Sequence, residues 1–213
     1  EMLRSLVGSE MCIRDRKDAE AALASTSSVP YSSAAVSKPT FIDIEDASWM
    51  WGILITDKDR VSTTGICNFP SHMGSLNYGY ASVGGWRRIS PKLYNQIPES
   101  DVRKGWFLDD TGVSVNLPAA AQAYITKKGA PVYTQVKYGP MNDEWGSNNN
   151  ATDVILMRVE EMYLIKAEAQ AMNNDVSGGV NTLNSFVNTY RDPSYKCTAT
   201  TGEAVQELSL IHI

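Results

Sequence analysis

The sequence has little of what most catalytic and metal centres are built from. Its 213 residues include two histidines and three cysteines. Cys12 lies near the start, Cys67 and Cys197 stand far apart, and His72 is the one histidine away from the ends. Structural zinc sites draw their ligands from close pairs, and no such pairing is present. Cys67 and Cys197 can join only in an oxidising compartment, which spacing does not decide, and free thiols are the expectation. Basic residues are outnumbered, 19 Lys and Arg against 24 Asp and Glu, for a net charge of −5. Nucleic-acid binding needs a basic footprint, and so does attachment to anionic lipid; neither is expected here. No run of about 18 apolar residues is present to span a bilayer. Nucleophile elbow, phosphate loop and dinucleotide fingerprint are all missing. Glu160 and Glu161 are adjacent on an expected helix, so they point about 100° apart. They cannot face one another across a cleft as glycoside hydrolysis requires. The expectation is a protein that is not an enzyme and uses no metal or cofactor.

What is present centres on residues 153–191, which read as two helices and a polar turn. In the first, Val159, Met162, Tyr163, Lys166, Ala167 and Gln170 recur at helical spacing, and Leu164, Ile165, Ala169 and Met172 make it apolar almost all round. Such a helix is buried on most sides. Asn173, Asn174 and Asp175 break the pattern and Gly178-Gly179 loosens it further. The second helix carries Val180, Leu183, Phe186, Val187 and Tyr190, and Asp192-Pro193 stops it. Ala167 sits where the two helices can approach closely. Arg158 and Glu161, three apart, are expected to pair. A helix hairpin with small residues inside is the unit of a tetratricopeptide repeat. One such pair cannot bury its own faces and needs neighbours, yet no second clear copy is found.

Elsewhere the signals are local. Residues 17–25 read as a short helix and 26–40 as loop. Trp49 to Thr56, aromatic and β-branched, reads as a strand with Trp49 and Trp51 on one face, and Trp51 is expected in the core. Ser90-Pro91 opens a short helix, with a serine cap and proline in the first turn. Asp101 and Arg103 are expected to form a local ion pair, and Trp106-Phe107 to be core. Asp109 to Gly112 reads as a turn. A helix is expected from Pro118, and the alternating segment Pro131 to Tyr138 reads as a strand.

Two loops carry the candidate binding residues. Asp57 to Gly85 is long, rich in Gly, Asn, Ser and Thr, and interleaved with aromatics; loops of this length are uncommon unless functional or disordered. A sugar offers an apolar face of C–H groups, which stacks on a ring, and a rim of hydroxyls, which pairs with amides and carboxylates. Tyr78, Tyr80 and Trp86 are the candidates for stacking and Asn77 for a hydrogen bond. Trp145, in the polar stretch 142–152, is the outsider. The plainer alternative is that these rings pack the loops onto the body.

Three blocks resemble one family in its order. They are Arg158-x-x-Glu161-Met162-Tyr163-Leu164-x-x-Ala167-Glu168-Ala169 with Leu183-Asn184, then Leu93-Tyr94-x-x-Ile97-Pro98-x-x-Asp101-x-Arg103-Lys104-x-Trp106-Phe107, and, more weakly, Tyr133 to Tyr138. The pattern is similar to that of the SusD/RagB family, nutrient-binding and mostly glycan-binding lipoproteins of the Bacteroidetes outer membrane. The resemblance implies a mainly α fold: a tetratricopeptide-like helical scaffold with long irregular loops and a few short strands, present here as a partial domain. It also implies ligands held by loop aromatics and polar side chains. The oligosaccharide would be captured at the cell surface and passed to a TonB-dependent transporter of the SusC type. Membrane attachment would be only through a lipid anchor that this chain lacks. The alternative function is a tetratricopeptide-type scaffold that docks a protein and has no small ligand of its own.

The ends read as something other than protein-coding sequence. Glu10 to Arg16, EMCIRDR, can be encoded by GAG ATG TGT ATA AGA GAC AG. The reverse complement, CTG TCT CTT ATA CAC ATC, encodes LSLIHI, the sequence of Leu208 to Ile213. One short DNA read in both orientations points to a sequencing adapter. Residues 1–16 and 208–213 are therefore expected to be artefact, and 17–207 to be the partial SusD-like domain.

Overall fold

The computed structural model describes the backbone of residues 2–212 and the side chains of residues 11–211. Glu1 and Ile213, the outermost residues of the two adapter-like segments, lie outside the described residues. The described residues form α1 (Met2–Ser25), α2 (Ser33–Val36), β1 (Trp49–Ile53), α3 (Phe69–Met73), α4 (Pro91–Tyr94), α5 (Ala119–Lys127), β2 (Val154–Arg158), α6 (Val159–Met172), α7 (Val176–Tyr190) and α8 (Gly202–His212). β1 and β2 make a two-stranded sheet. The chain divides into two compact units, one of Glu1–Tyr31, Ala47–Met50 and Met157–Ile213, the other of Ser32–Asp46 and Trp51–Leu156.

The first unit contains the expected hairpin, as α6 and α7, with helices around it; Val154–Arg158, counted with the hairpin from the sequence, form β2 instead of helix. α6 packs against α1, α7 and α8. Asp175 starts α7 by accepting a hydrogen bond from the Gly178 amide at 2.9 Å, the usual service of an N-cap carboxylate. Leu164, Ala167, Leu183, Phe186, Val187 and Cys197 form its core. Cys67 and Cys197 are both free. The close approach expected at Ala167 is present, and its other half is Gly179. A Cβ on Gly179 would lie 2.6 Å from the Ala167 carbonyl oxygen and 2.8 Å from the Ala171 Cβ. Gly179 therefore admits α6 rather than loosening α7.

Two further expectations fail in this part of the chain. Arg158 pairs with Glu160, at 3.4 Å, where Glu161 was expected. Arg158 precedes α6 in an extended conformation (φ −121°, ψ 152°), so helical spacing does not set its reach. Trp49 is buried, 6% exposed, but Trp51 is 63% exposed and outside any core. Alternation fixes which side of a strand a residue takes, not whether anything covers it. The Trp49 indole has a neighbour to donate to, the Tyr31 hydroxyl at 3.3 Å.

The second unit is held by loops that cross-link one another. Its core is Leu76, Leu108, Ile125 and Val136, with Trp86, Tyr124 and Trp145 packed against it. Residues 131–138 run through its middle, but not as the expected strand. They make single bridges instead: Thr134 to Arg88, Gln135 to Phe107 and Tyr138 to Thr40. Two causes are visible. Pro131 has no amide to donate, and Tyr133 adopts φ +65°, which a ladder does not accommodate. Three of the local signals elsewhere are realised, whereas Trp106 and Phe107, expected in the core, are half-buried, and residues 26–40, expected as loop, contain α2. Ser90 caps α4 by accepting from the Leu93 amide at 3.2 Å, α5 starts directly after Pro118, and Asp101 pairs with Arg103 at 2.6 Å.

Candidate functional site

The structure brings the two candidate loops together. The Tyr78 amide donates to the Ser147 carbonyl at 2.8 Å and the Gly146 amide to the Leu76 carbonyl at 2.7 Å. Asn77 is 5% exposed, and its side-chain amide donates to Asn150 across the same junction. Asn150 also donates to the carbonyls of Gly65 and Tyr78, both at 3.4 Å. Trp86 and Trp145, half-buried, share the core beneath. Tyr78 is 39% exposed. Tyr80 packs its ring on His72, centroids 4.4 Å apart. Of the five residues singled out from the sequence, Tyr78 is exposed, Tyr80, Trp86 and Trp145 are half-buried, and Asn77 is buried.

The same unit contains a cavity of about 570 Å³ that none of those five residues lines. Three aromatic residues that the sequence reading left to structural roles stand around it: Tyr94 at the end of α4, Phe107, and Tyr133. Tyr94 and Tyr133 lie with ring centroids 5.2 Å apart and planes at 58°. The left-handed backbone at Tyr133 costs on the order of 1–3 kcal/mol. It is held on both sides, since its amide donates to the Leu108 carbonyl at 3.1 Å and its carbonyl accepts from the Ile89 amide at 3.1 Å. That twist in an otherwise extended segment was the missing signal. Alternation alone made Tyr133 an ordinary strand residue.

Polar groups complete the lining. Lys104 pairs with Glu99 and holds its ammonium 5.1 Å from the centre of the Tyr94 ring. Asn116, buried, donates to the carbonyls of Val36 at 3.4 Å and Val102 at 3.3 Å. It fits only because residue 105 is glycine, where a Cβ would lie 2.4 Å from the Asn116 side chain. Ser114 donates to the Gly105 carbonyl at 2.5 Å. Asp109 closes the turn after Leu108, accepting from the Thr111 amide at 2.8 Å and hydroxyl at 2.7 Å and from the Val113 amide at 2.9 Å. Burial alone would raise its pKa, but these hydrogen bonds together hold it below the ordinary value. The Tyr94 phenol is pushed up, first by burial and then by the carboxylates of Asp109, Glu99 and Asp110.

Among the described residues no group of three or more His, Cys, Asp or Glu is placed to hold a metal ion, and no helix is long and apolar enough to cross a membrane. Rings beside amides and carboxylates in a concave site can hold a ligand with both apolar and polar faces.

No family model matches the sequence, and none of the curated proteins compared with it is similar. Solved structures are. A SusD-like carbohydrate binding protein from Bacteroides vulgatus superposes with a TM-score of 0.65 at 21% identity, over 95% of this chain and 38% of that one. A SusD superfamily protein from Parabacteroides distasonis superposes with a TM-score of 0.60 at 14% identity, over 95% of this chain and 43% of that one. The chain thus has the mainly helical SusD-like fold that the sequence blocks implied, and spans less than half the length of these two structures.

Proposed function

We propose that this chain is part of a protein that binds oligosaccharide without cleaving it. The observation that carries the reading is the cavity between Tyr94, Phe107 and Tyr133. Its rings offer stacking surface to the C–H face of a pyranose, and Asn95, Asn116 and Asp110 offer partners to the hydroxyls. The carbohydrate binding named for the Bacteroides vulgatus structure of the same fold supports the reading. Tyr78 and Tyr80 form a second proposed contact at the joined loops, with Asn77, Trp86 and Trp145 holding them in place. By the sequence resemblance, the parent protein displays this site on the outer membrane, held by a lipid anchor, and passes its ligand to a SusC-like transporter.

Calorimetric titration with a panel of neutral oligosaccharides tests this. Removing a stacked ring costs about 0.5–1.5 kcal/mol, so Tyr94→Ala and Tyr133→Ala should each weaken binding several-fold. Binding that survives both but is lost in Tyr78→Ala and Tyr80→Ala moves the site to the loops. A chain that binds no saccharide overturns the proposal.

The alternative, a protein-docking scaffold, has its own observation. The hairpin carries a groove of about 390 Å³ lined by Tyr163, Phe186 and Tyr190 together with Thr182, Ser185 and Thr189. A peptide partner captured there, abolished by Tyr163→Ala and with no saccharide bound anywhere, favours it.

A further inference from the structure

Four carboxylates border the cavity, those of Glu99, Asp101, Asp109 and Asp110, against one ammonium, that of Lys104. Asp101 is taken up by Arg103 and Glu99 by Lys104. Asp109 and Asp110 have no cationic partner among the described ion pairs. The turn amides keep Asp109 ionised, and Asp110, exposed, stands next to it. Their field falls on the aromatic wall, since both carboxylates bear on the Tyr94 phenol. The carboxylates do not converge on a point, and no trio there is placed to chelate a metal ion. The Tyr94 ring already carries an ammonium near its face, that of Lys104, as the quadrupole of an aromatic ring favours.

Dispersed anions above a wall of rings suit an extended ligand that is apolar on one face and positively charged at its edge. The same anions repel uronates and sulfated sugars. Resting on the saccharide-binding reading above, we propose that the cavity selects amine-bearing saccharides, oligomers of unacetylated hexosamine, over neutral and acidic ones. The protonated amine pairs with Asp110 and Asp109, and the pyranose face lies against Tyr94 and Tyr133.

The full chain is titrated at about pH 6, where carboxylates are ionised and the sugar amine is protonated. The probes are a glucosamine oligomer, its N-acetylated counterpart, a galacturonate oligomer of equal length and an oligolysine. The glucosamine oligomer should bind roughly tenfold more tightly than its acetylated form, the effect expected of two partly exposed charge pairs. Added salt should narrow that ratio. Asp110→Asn should lower the ratio several-fold with no change in thermal midpoint. Equal affinity for the two glucosamine forms, or tighter binding of galacturonate, overturns the selectivity while leaving saccharide binding in place. Oligolysine bound as tightly overturns the part played by the sugar. A preference untouched by both Asp110→Asn and Tyr94→Ala overturns its placement in this cavity. If no probe and no neutral saccharide binds, the selectivity and the reading beneath it both fall.

Discussion

Arg191 places its Nη2 3.2 Å from the Glu160 Oε1, and both residues are 1% exposed. The same oxygen accepts from the Tyr31 amide at 3.0 Å and from Arg158 at 3.4 Å. One buried carboxylate thus ties the start of α6 to the residue that ends α7 and to the chain at Tyr31. Removing one partner of a buried pair strands the other charge, at about 3–5 kcal/mol, a large part of the 5–15 kcal/mol typical of a domain. Glu160→Leu and Arg191→Leu should each lower the unfolding free energy, read from urea titration, by that much. The double variant should cost well under the sum. Additive losses would show that the two side chains are not coupled.

Gly179 faces the Ala167 carbonyl and the Ala171 methyl. Helix propensity alone makes Gly→Ala favourable by about 1 kcal/mol. Overpacking of a close helix pair opposes it with about 1–3 kcal/mol. The backbone carbonyl cannot swing aside as a side chain can, so packing should win, and Gly179→Ala should lower the thermal midpoint. A midpoint that rises would mean that α6 and α7 lie further apart than described.

Where the sequence spoke clearly, it spoke through period and punctuation. The three-and-four spacing from Val159 to Tyr190 marks a hairpin because both helices bury one another's apolar sides. Ser90 and Pro118 mark the starts of α4 and α5 because a capping hydroxyl and a proline ring act on their nearest neighbours. Period says nothing of what lies opposite, and so it put Trp51 in the core. The cavity was harder still to read. Tyr94, Phe107 and Tyr133 are far apart in sequence and meet through single bridges and a left-handed residue, none of which leaves a repeating pattern. Loop composition drew the reading to Tyr78, Tyr80 and Trp86 instead, because glycine and asparagine among aromatics are visible in sequence.

Trp49 and Trp51 offer a direct contrast. Trp49 is buried and hydrogen-bonded to Tyr31, so Trp49→Ala should cost about 3–5 kcal/mol. Trp51→Ser, at an exposed site, should stay within about 0.5 kcal/mol. Urea unfolding followed by circular dichroism reads both. Comparable losses from the two would restore Trp51 to a core.

Asp109 gives the cavity wall a dependence on pH. Its folded pKa is lowered: burial opposes ionisation, but hydrogen bonds from the Thr111 hydroxyl and the turn amides outweigh it. A lowered folded pKa means that the carboxylate stabilises the fold fully above its unfolded value, about 3.9. That contribution is lost as pH falls through the lower, folded value. Asp109→Asn keeps an acceptor oxygen but loses the charge that strengthens it. The variant should therefore be less stable than the parent at neutral pH, and the two unfolding midpoints should converge as the solution is acidified past the carboxylate range. A gap that is constant with pH would assign the loss to geometry rather than to the ionised carboxylate. A gap that widens in acid would require the opposite sign of shift, and the turn amides would then not be the groups that keep Asp109 charged.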